Sequence, residues 1–503
     1  MRLLHSLAKT YASFDDPNLV SHAGLVPVMA LAEGAGLADL VAEHVRPGGD
    51  CGVNAPLKVG CLIAGMAAGA DCIDDMDLLR HGAMPALFGG VRAPSTLGSH
   101  LRCYTWGNVS QLEKAGREFL IALAGRAPLL PGADTLAFIG IDSMQKRVYG
   151  HKKQGARFGH TKIQGKSLLV RGLNTLAATI STPLSAPVIA ATRLRGGNAA
   201  SARGAASLAA QAITTARDCG CTGTIVVRLD SAFYNAAVIG AVRRGGARFS
   251  VTVPMNASIR AAIAAIPEDA WTAIKYPRAI WDNQLGAWIS DAEIAEVEYT
   301  AFASRKGQAV TARLVVRRVR DLNKKAAAGQ DELFPVWRYH AVFTDSPFEL
   351  AQAEGQHRDH AVVEQMFADV TSGPLAHMPS IIFSPTILRS SDLWLYVVDS
   401  VVHGPSRGFP RGRPGSFCSL LSGRVAAGER IAAALCSPSA RSSASRSWRF
   451  SDSRTRMRTV AASRRRSSEA GVARCRSGTG GDDGACCRRV RSRPICSRRS
   501  SWA

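Results

Sequence analysis

An α/β fold follows from three features of the sequence. Two apolar runs of strand length, Thr135 to Ile141 and Gly223 to Leu229, are each followed at once by an acid, Asp142 and Asp230. Helical segments separate and follow them, the Ala-rich Asn198 to Cys219 and then Tyr234 to Gly245. A helical stretch precedes this region and a β-rich one interrupts it. Strands alternating with helices predict a mainly parallel sheet.

Residues 1–130 read as helical throughout. From Pro27 to Val45, apolar Val28, Leu31, Leu37, Leu40 and Val41 recur at helical period. Asn54-Ala55-Pro56 introduces a second apolar helix, Asp74-Asp75 a third segment, and Pro94-Ser95-Thr96-Leu97 a capped start for a fourth. Two architectures satisfy this pattern, a helix-turn-helix-like DNA module and a plain helical bundle.

Residues 131–255 form the first part of the α/β region. Arg147-Val148-Tyr149, Lys166 to Thr175 and Ala247 to Val253 are its further strands. Residues 256–345 then break the alternation with Trp271, Tyr276, Trp281, Trp288, Tyr299 and Phe302, recurrent turn signals and the strand-like Val310 to Val319. They read as a β-rich insertion, and Arg338 to Thr344 is a strand returning to the main sheet. Residues 346–379 resume the α/β region, with a helix over His357 to Val370.

Charge narrows the function classes. The chain carries 62 Lys+Arg against 39 Asp+Glu, a net of +23, which points to a polyanionic partner, nucleic acid before membrane surface. The excess is uneven: residues 1–379 hold 39 basic and 32 acidic side chains, whereas residues 380–503 hold 23 Arg and 7 acids. The richest apolar stretch, Val59 to Ala70, is too short to span a bilayer, so no membrane association is expected. The N-terminus shows no secretory signal. None of the six cysteines before residue 380 has metal-site spacing, and all twelve are expected to be reduced thiols.

Three acids can do chemistry. Asp142 and Asp230 end buried strands, where ligands gather in open α/β sheets. Glu364 lies on the helix within His357-Arg358-Asp359-His360-Ala361-Val362-Val363-Glu364-Gln365. Clustered carboxylates repel one another unless cations neutralise them, and two Mg²⁺ ions would do so while activating a water for attack on a phosphodiester.

These motifs resemble a bacterial insertion-sequence transposase of the DDE class, most closely the insertion sequence 1380 group. The resemblance is carried by Phe14-Asp15-Asp16-Pro17-Asn18-Leu19-Val20, Gly24-Leu25-Val26-Pro27, Asp74-Asp75-Met76-Asp77-Leu78-Leu79-Arg80, Ala93-Pro94-Ser95-Thr96-Leu97-Gly98, Asp230-Ser231-Ala232-Phe233-Tyr234-Asn235 and His357 through Gln365. It implies an RNase H-like catalytic domain with a β-rich insertion between the second and third acids, behind a helical domain that binds DNA ends. Asp142, Asp230 and Glu364 match the family's metal-binding triad for two Mg²⁺ or Mn²⁺ ions. The implied reaction is hydrolysis at the element's ends, then transfer of the freed 3′-hydroxyl into target DNA. The implied partners are double-stranded DNA, both terminal inverted repeats and target, and a second copy in a homodimeric synaptic complex. The implied location is the bacterial cytoplasm, on the nucleoid.

The sequence departs from the family in three places. The extra acid that usually stands two residues before the first catalytic Asp is here Gly140. In the Tyr, Arg, Glu, Lys pattern of related transposases, His357 falls at the Tyr, His360 at the Arg and Thr371 at the Lys, with Arg358 off register. His357, Arg358 and His360 are expected as phosphate contacts or as exposed helix residues. Beyond about Ser380 the helices that close the family's domain give way to Arg- and Ser-rich sequence, with 25 Ser and 23 Arg in 124 residues. That composition predicts disorder, and its source is either a frameshift or a basic DNA-binding arm.

Two further features invite DNA. Arg313, Arg317, Arg318 and Arg320, with Lys324 and Lys325, either track a phosphate backbone or line a solvated strand face. The aromatic residues of 271–302 either stack on unpaired bases or pack a sheet core.

Overall fold

Small residues divide the N-terminal apolar stretch into short helices. Gly36, at φ 77°, separates α1 (Leu25–Gly34) from α2 (Leu37–His44), so the single face expected over Pro27 to Val45 is two helices. Only glycine takes that left-handed backbone without strain. Next, α3 (Ala55–Ala67) starts where expected, with Pro56 in its first turn. A 3₁₀ turn over Asp74–Leu79, α4 (Met84–Leu87), α5 (Pro94–Arg102) and α6 (Trp106–Ala124) complete the region. The start of α6 is fixed by a capping box between Thr105 and Asn108. The structure, a computed structural model, describes residues 18–70, 72–149, 155–163, 166–320 and 336–372. The tail after residue 380 lies outside the described residues, as do Lys324 and Lys325. Among the described residues no single helix is long and apolar enough to cross a membrane; only α1 and α2 together, bent by 54°, have the required length and composition.

The sheet region follows. Its elements are β1 (Leu136–Arg147), β2 (Arg157–Ile163), β3 (Lys166–Ser181), β4 (Val188–Gly196), α7 (Ala205–Asp218), β5 (Thr224–Leu229), α8 (Ala236–Arg244) and β6 (Arg248–Thr252). After α9 (Ala257–Ala264) come β7 (Thr272–Ala273), β8 (Ile280–Asp282), β9 (Ala287–Ile289), β10 (Ala292–Ala301), β11 (Val310–Arg320) and β12 (Trp337–Thr344). One ten-stranded sheet runs β2-β3-β1-β5-β6-β12-β11-β10-β7, with β4 also paired to β3. Among the described residues only β1–β5 and β5–β6 are parallel. The sheet is therefore mixed rather than mainly parallel, because β2, β3 and β4 follow one another through short connections that reverse the chain, and β3 also pairs antiparallel with β1. The segment read as an insertion continues the same sheet, with β12 pairing antiparallel to β6.

The helix expected over His357 to Val370 is broken. It appears as α10 (Leu350–Arg358), a 3₁₀ turn over Asp359–Ala361, and α11 (Val362–Ser372). Helix α11 lies on one face of the sheet with α3 and α5, sharing a core of Leu62, Met66, Leu97, Leu101, Ala177, Val363, Met366 and Phe367. Each of these side chains larger than Ala177 contributes about 1.5–3 kcal/mol on full burial. The main core joins α2, α6, α7 and α8 to strand residues Ile139, Ile141, Ile180, Val227 and Phe249.

One thiol expectation is corrected. Cys51 and Cys103 are joined by a disulfide that closes a loop 52 residues apart in sequence, with Cα atoms 6.2 Å apart. The fold brings the turn before α3 against the end of α5, a proximity that cysteine spacing does not reveal. Cys61, Cys72, Cys219 and Cys221 are free.

Candidate active site

The parallel pairing of β1 with β5 brings two of the acids together. Their last registered pair is Ile141 with Leu229, and the next residue on each chain is Asp142 and Asp230. Adjacent strands stand about 4.8 Å apart, so the carboxylates start from neighbouring positions. Both are half-buried. The Ser143 backbone N–H donates to Asp142 Oδ1 at 2.6 Å, and the Ala232 N–H to Asp230 Oδ1 at 3.0 Å.

The third acid is delivered by a close helix–strand contact. Gly140, two residues before Asp142, lies beneath α11, and a Cβ there would stand 2.1 Å from Val363 Cγ2, 3.2 Å from Thr179 Oγ1 and 3.5 Å from His360 Cε1. The next residue along, Glu364, is exposed in the first turn of α11. Position 140 has no side chain because the helix carrying Glu364 occupies that space.

Electrostatics records the convergence. Burial, with the charges of Asp230 and Glu364, pushes the Asp142 carboxyl up to about 6, against the pull of the Ser143 N–H. Burial and the Glu364 charge likewise raise Asp230 above the ordinary carboxylate range. The donor set suits a hard divalent cation, which takes oxygen ligands and relieves such repulsion. Among the described residues no three His, Cys, Asp or Glu side chains are already gathered closely enough to hold an ion.

Arg228 was not singled out from the sequence. It is 3% exposed, its Nη1 donates to the Gln356 carbonyl at 2.9 Å, and its guanidinium lies 4.3 Å over the Phe138 ring. Burial lowers it to about 10, with Asp359 opposing. It ties the strand that ends in Asp230 to the last turn of α10, where a cation is favoured. The available signal was a lone charge inside the apolar run Val226-Val227-Arg228-Leu229.

The residues expected to touch DNA divide differently. His357 is 9% exposed, and its Nδ1 and Nε2 bond to Ser250 Oγ at 2.8 Å and Thr252 Oγ1 at 2.9 Å. Burial, then Arg228 and Arg317, lower it to about 4, so it is a neutral interior group with no nitrogen left for a phosphate. His360 is held down to about 3 by burial, Arg228 and His357. Arg358 is exposed, 3.5 Å from Glu354 and 5.7 Å from the Tyr276 ring centre. Arg317 pairs with the buried Glu354. Arg318, 5% exposed, pairs with Glu268 and Glu293 and is sandwiched between Trp271 and Trp337 at 4.3 and 4.4 Å. Arg313 pairs with Glu296. Strand β11 thus spends most of its arginines on partners within the fold, and Arg320 alone of the four expected there is exposed. Trp271 and Tyr276 are occupied by these cations, whereas Trp281 packs edge-on against Trp288 at 5.1 Å in the small β8–β9 sheet and remains 47% exposed.

Fold and site together describe a mixed α/β protein with carboxylates converging at strand ends. Residues 5–325 match the family model described as transposase DDE domain group 1, and the chain belongs to that family. The matched stretch contains Asp142 and Asp230 and stops before Glu364. Among solved structures, a piggyBac transposase synaptic complex with hairpin DNA is similar at a TM-score of 0.35 and 10% identity, covering 76% of this chain and 74% of that one. No curated protein matches the chain significantly.

Proposed function

We propose that this protein is a DNA transposase of the insertion sequence 1380 group, with an RNase H-like catalytic domain. The observation that carries the proposal is the placement of Asp142 and Asp230 one residue beyond the Ile141–Leu229 pair, where burial and, after it, the Glu364 charge raise both. The strand order β4-β3-β1-β5-β6, parallel only at β1, β5 and β6, supports the RNase H-like assignment. Asp142, Asp230 and Glu364 would hold two Mg²⁺ or Mn²⁺ ions. Such ions lower the pKa of a bound water and offset charge on the leaving oxygen. The chain's own part is to aim the acids: the Ser143 and Ala232 amides orient Asp142 and Asp230, and the Gly140–Val363 contact sets Glu364.

Residues 1–130 would bind the terminal inverted repeats, residues 131–255 and 346–379 would form the catalytic core, and 256–345 the insertion. The protein would act as a homodimer on double-stranded DNA, element ends and target, in the bacterial cytoplasm at the nucleoid. A second possibility, a DNA-binding remnant without activity, is favoured by the abrupt change to Arg- and Ser-rich sequence after residue 380. The test is nicking of a duplex bearing the element's end in Mg²⁺ or Mn²⁺. The transposase gives metal-dependent nicking that Asp230→Ala abolishes; the remnant binds the end without nicking in either metal.

A further inference from the structure

One row of the sheet lies directly beneath the two strand-end acids. Gly140 on β1 pairs with Arg228 on β5, and Arg228 pairs with Ser250 on β6. Two residues further along each strand, on the same face, come Asp142, Asp230 and Thr252. All three members of the row touch the segment that delivers Glu364. Ser250 Oγ is 2.8 Å from His357 Nδ1, and Arg228 Nη1 donates to the Gln356 carbonyl at 2.9 Å. Gly140 leaves the space that Val363 and His360 occupy.

That segment needs holding. The 3₁₀ turn over Asp359–Ala361 separates α10 from α11, so the two helices are not one rod. Ser250 and Arg228 grip the α10 side of the turn, and Gly140 seats the turn itself and the start of α11. Glu364 follows Gln356 by eight residues. A change of angle at the turn carries Glu364 away from Asp142 and Asp230, and ligand sets tolerate little such change.

The arginine is the costly member of the row. It is 3% exposed and lies over the Phe138 ring, and its Nε has no hydrogen-bond partner among the described residues. The acid whose charge acts on it, Asp359, is itself exposed. A buried cation held in this way commonly contributes less to stability than an apolar side chain filling the same space. Its neighbours Val226, Val227 and Leu229 show what this strand otherwise buries. An apolar residue, however, cannot draw the carbonyl end of α10, with its unsatisfied oxygens and partial negative charge, onto β5.

We propose that Arg228 is a positioning residue for the cation site: by fixing the end of α10 against β5, it holds Glu364 where its carboxylate can share a divalent cation with Asp142 and Asp230. The inference rests on the transposase reading and names a residue outside the three acids on which cation affinity depends.

The test is Mn²⁺ binding to the full chain, measured by calorimetry without DNA. Arg228→Met fills the space without the charge and should weaken Mn²⁺ affinity about tenfold or more, as loss of a group that orients a ligand does. Arg228→Lys keeps a cation for the carbonyl and should restore most of that affinity. A double-mutant cycle decides between roles. Glu364→Gln should weaken Mn²⁺ binding about tenfold or more in the wild type, but less than about threefold once Arg228→Met is present, because Glu364 is then already out of place. A residue that only stabilises the fold would leave the two losses additive. Arg228→Gln enters the same cycle if Arg228→Met does not fold. Additive losses, or unchanged affinity on removing the Arg228 charge, overturn the proposal. Failure of the transposase reading looks different: Mn²⁺ binding by the wild type would then be absent or indifferent to Asp230→Ala.

Discussion

Gly140 and Val363 are in contact so close that a single added carbon at residue 140 would stand 2.1 Å from the valine methyl. One residue of this pair lies two positions before Asp142, and the other lies immediately before Glu364. The contact therefore sets the distance between the first and third acids, and loss of bulk on one side can offset a gain on the other.

Gly140→Ala should lower metal-dependent nicking at least tenfold and weaken Mn²⁺ binding measured by calorimetry. Adding Val363→Ala should restore both in large part, since it vacates the space the new methyl needs. A double variant no better than Gly140→Ala would show that the contact does not position Glu364.

Asp142 should make the metal-free protein less stable at neutral pH. Its folded carboxyl titrates near 6 against 3.8 for the free side chain, so the folded state binds more protons between those values. The stability it permits is fully present below about 4 and is lost as pH rises through 6. Asp142→Asn should thus raise stability by about 1–3 kcal/mol at pH 7 in chelator, while abolishing nicking. The gain should vanish near pH 4, which denaturant titration at the two pH values will measure.

His357 has the opposite sign. Its ring titrates near 4 when folded and near 6.5 otherwise, so its contribution is present above 6.5 and is lost on acidification toward 4. His357→Ala should lower stability by about 1–3 kcal/mol at pH 7, because Ser250 Oγ loses a buried partner. The salt dependence of DNA binding should stay at the wild-type slope, and a flatter slope would restore His357 as a phosphate contact.

Arg318→Ala should cost about 2–4 kcal/mol of stability, since it strands Glu293 and empties the space between Trp271 and Trp337. Thermal unfolding checks this. Because Arg318 already has its partners, duplex affinity in the surviving folded protein should change less than twofold.

The acids were legible because the signal is local: an apolar run of strand length ending in Asp says both where the strand stops and what stands there. Glu364 needed the spacing of a known family, since a lone acid on an amphipathic helix looks like any surface residue. Strand β4, Val188–Gly196, went unseen because its Arg193 and Arg195 interrupt the apolar pattern while serving partners inside the fold. Arg317 and Arg318 looked free for the converse reason. Their partners Glu354, Glu268 and Glu293 lie 25 to 50 residues away in sequence, and only β10–β11 pairing, the turn before β7 and the return of α10 bring them close. Gly140 looked like a missing acid, and only packing explains it.

Strand β12 closes against β6 through pairs such as Val342 with Thr252, and α10 and α11 come only after it. The third carboxylate is therefore the last piece of the site to be synthesised, more than a hundred residues after Asp230. On the transposase reading, a chain still under synthesis, or one cut short before residue 360, has two acids but no third. The order of elements along the chain would then tie any capacity to cut DNA to a chain complete enough to hold its own sheet together.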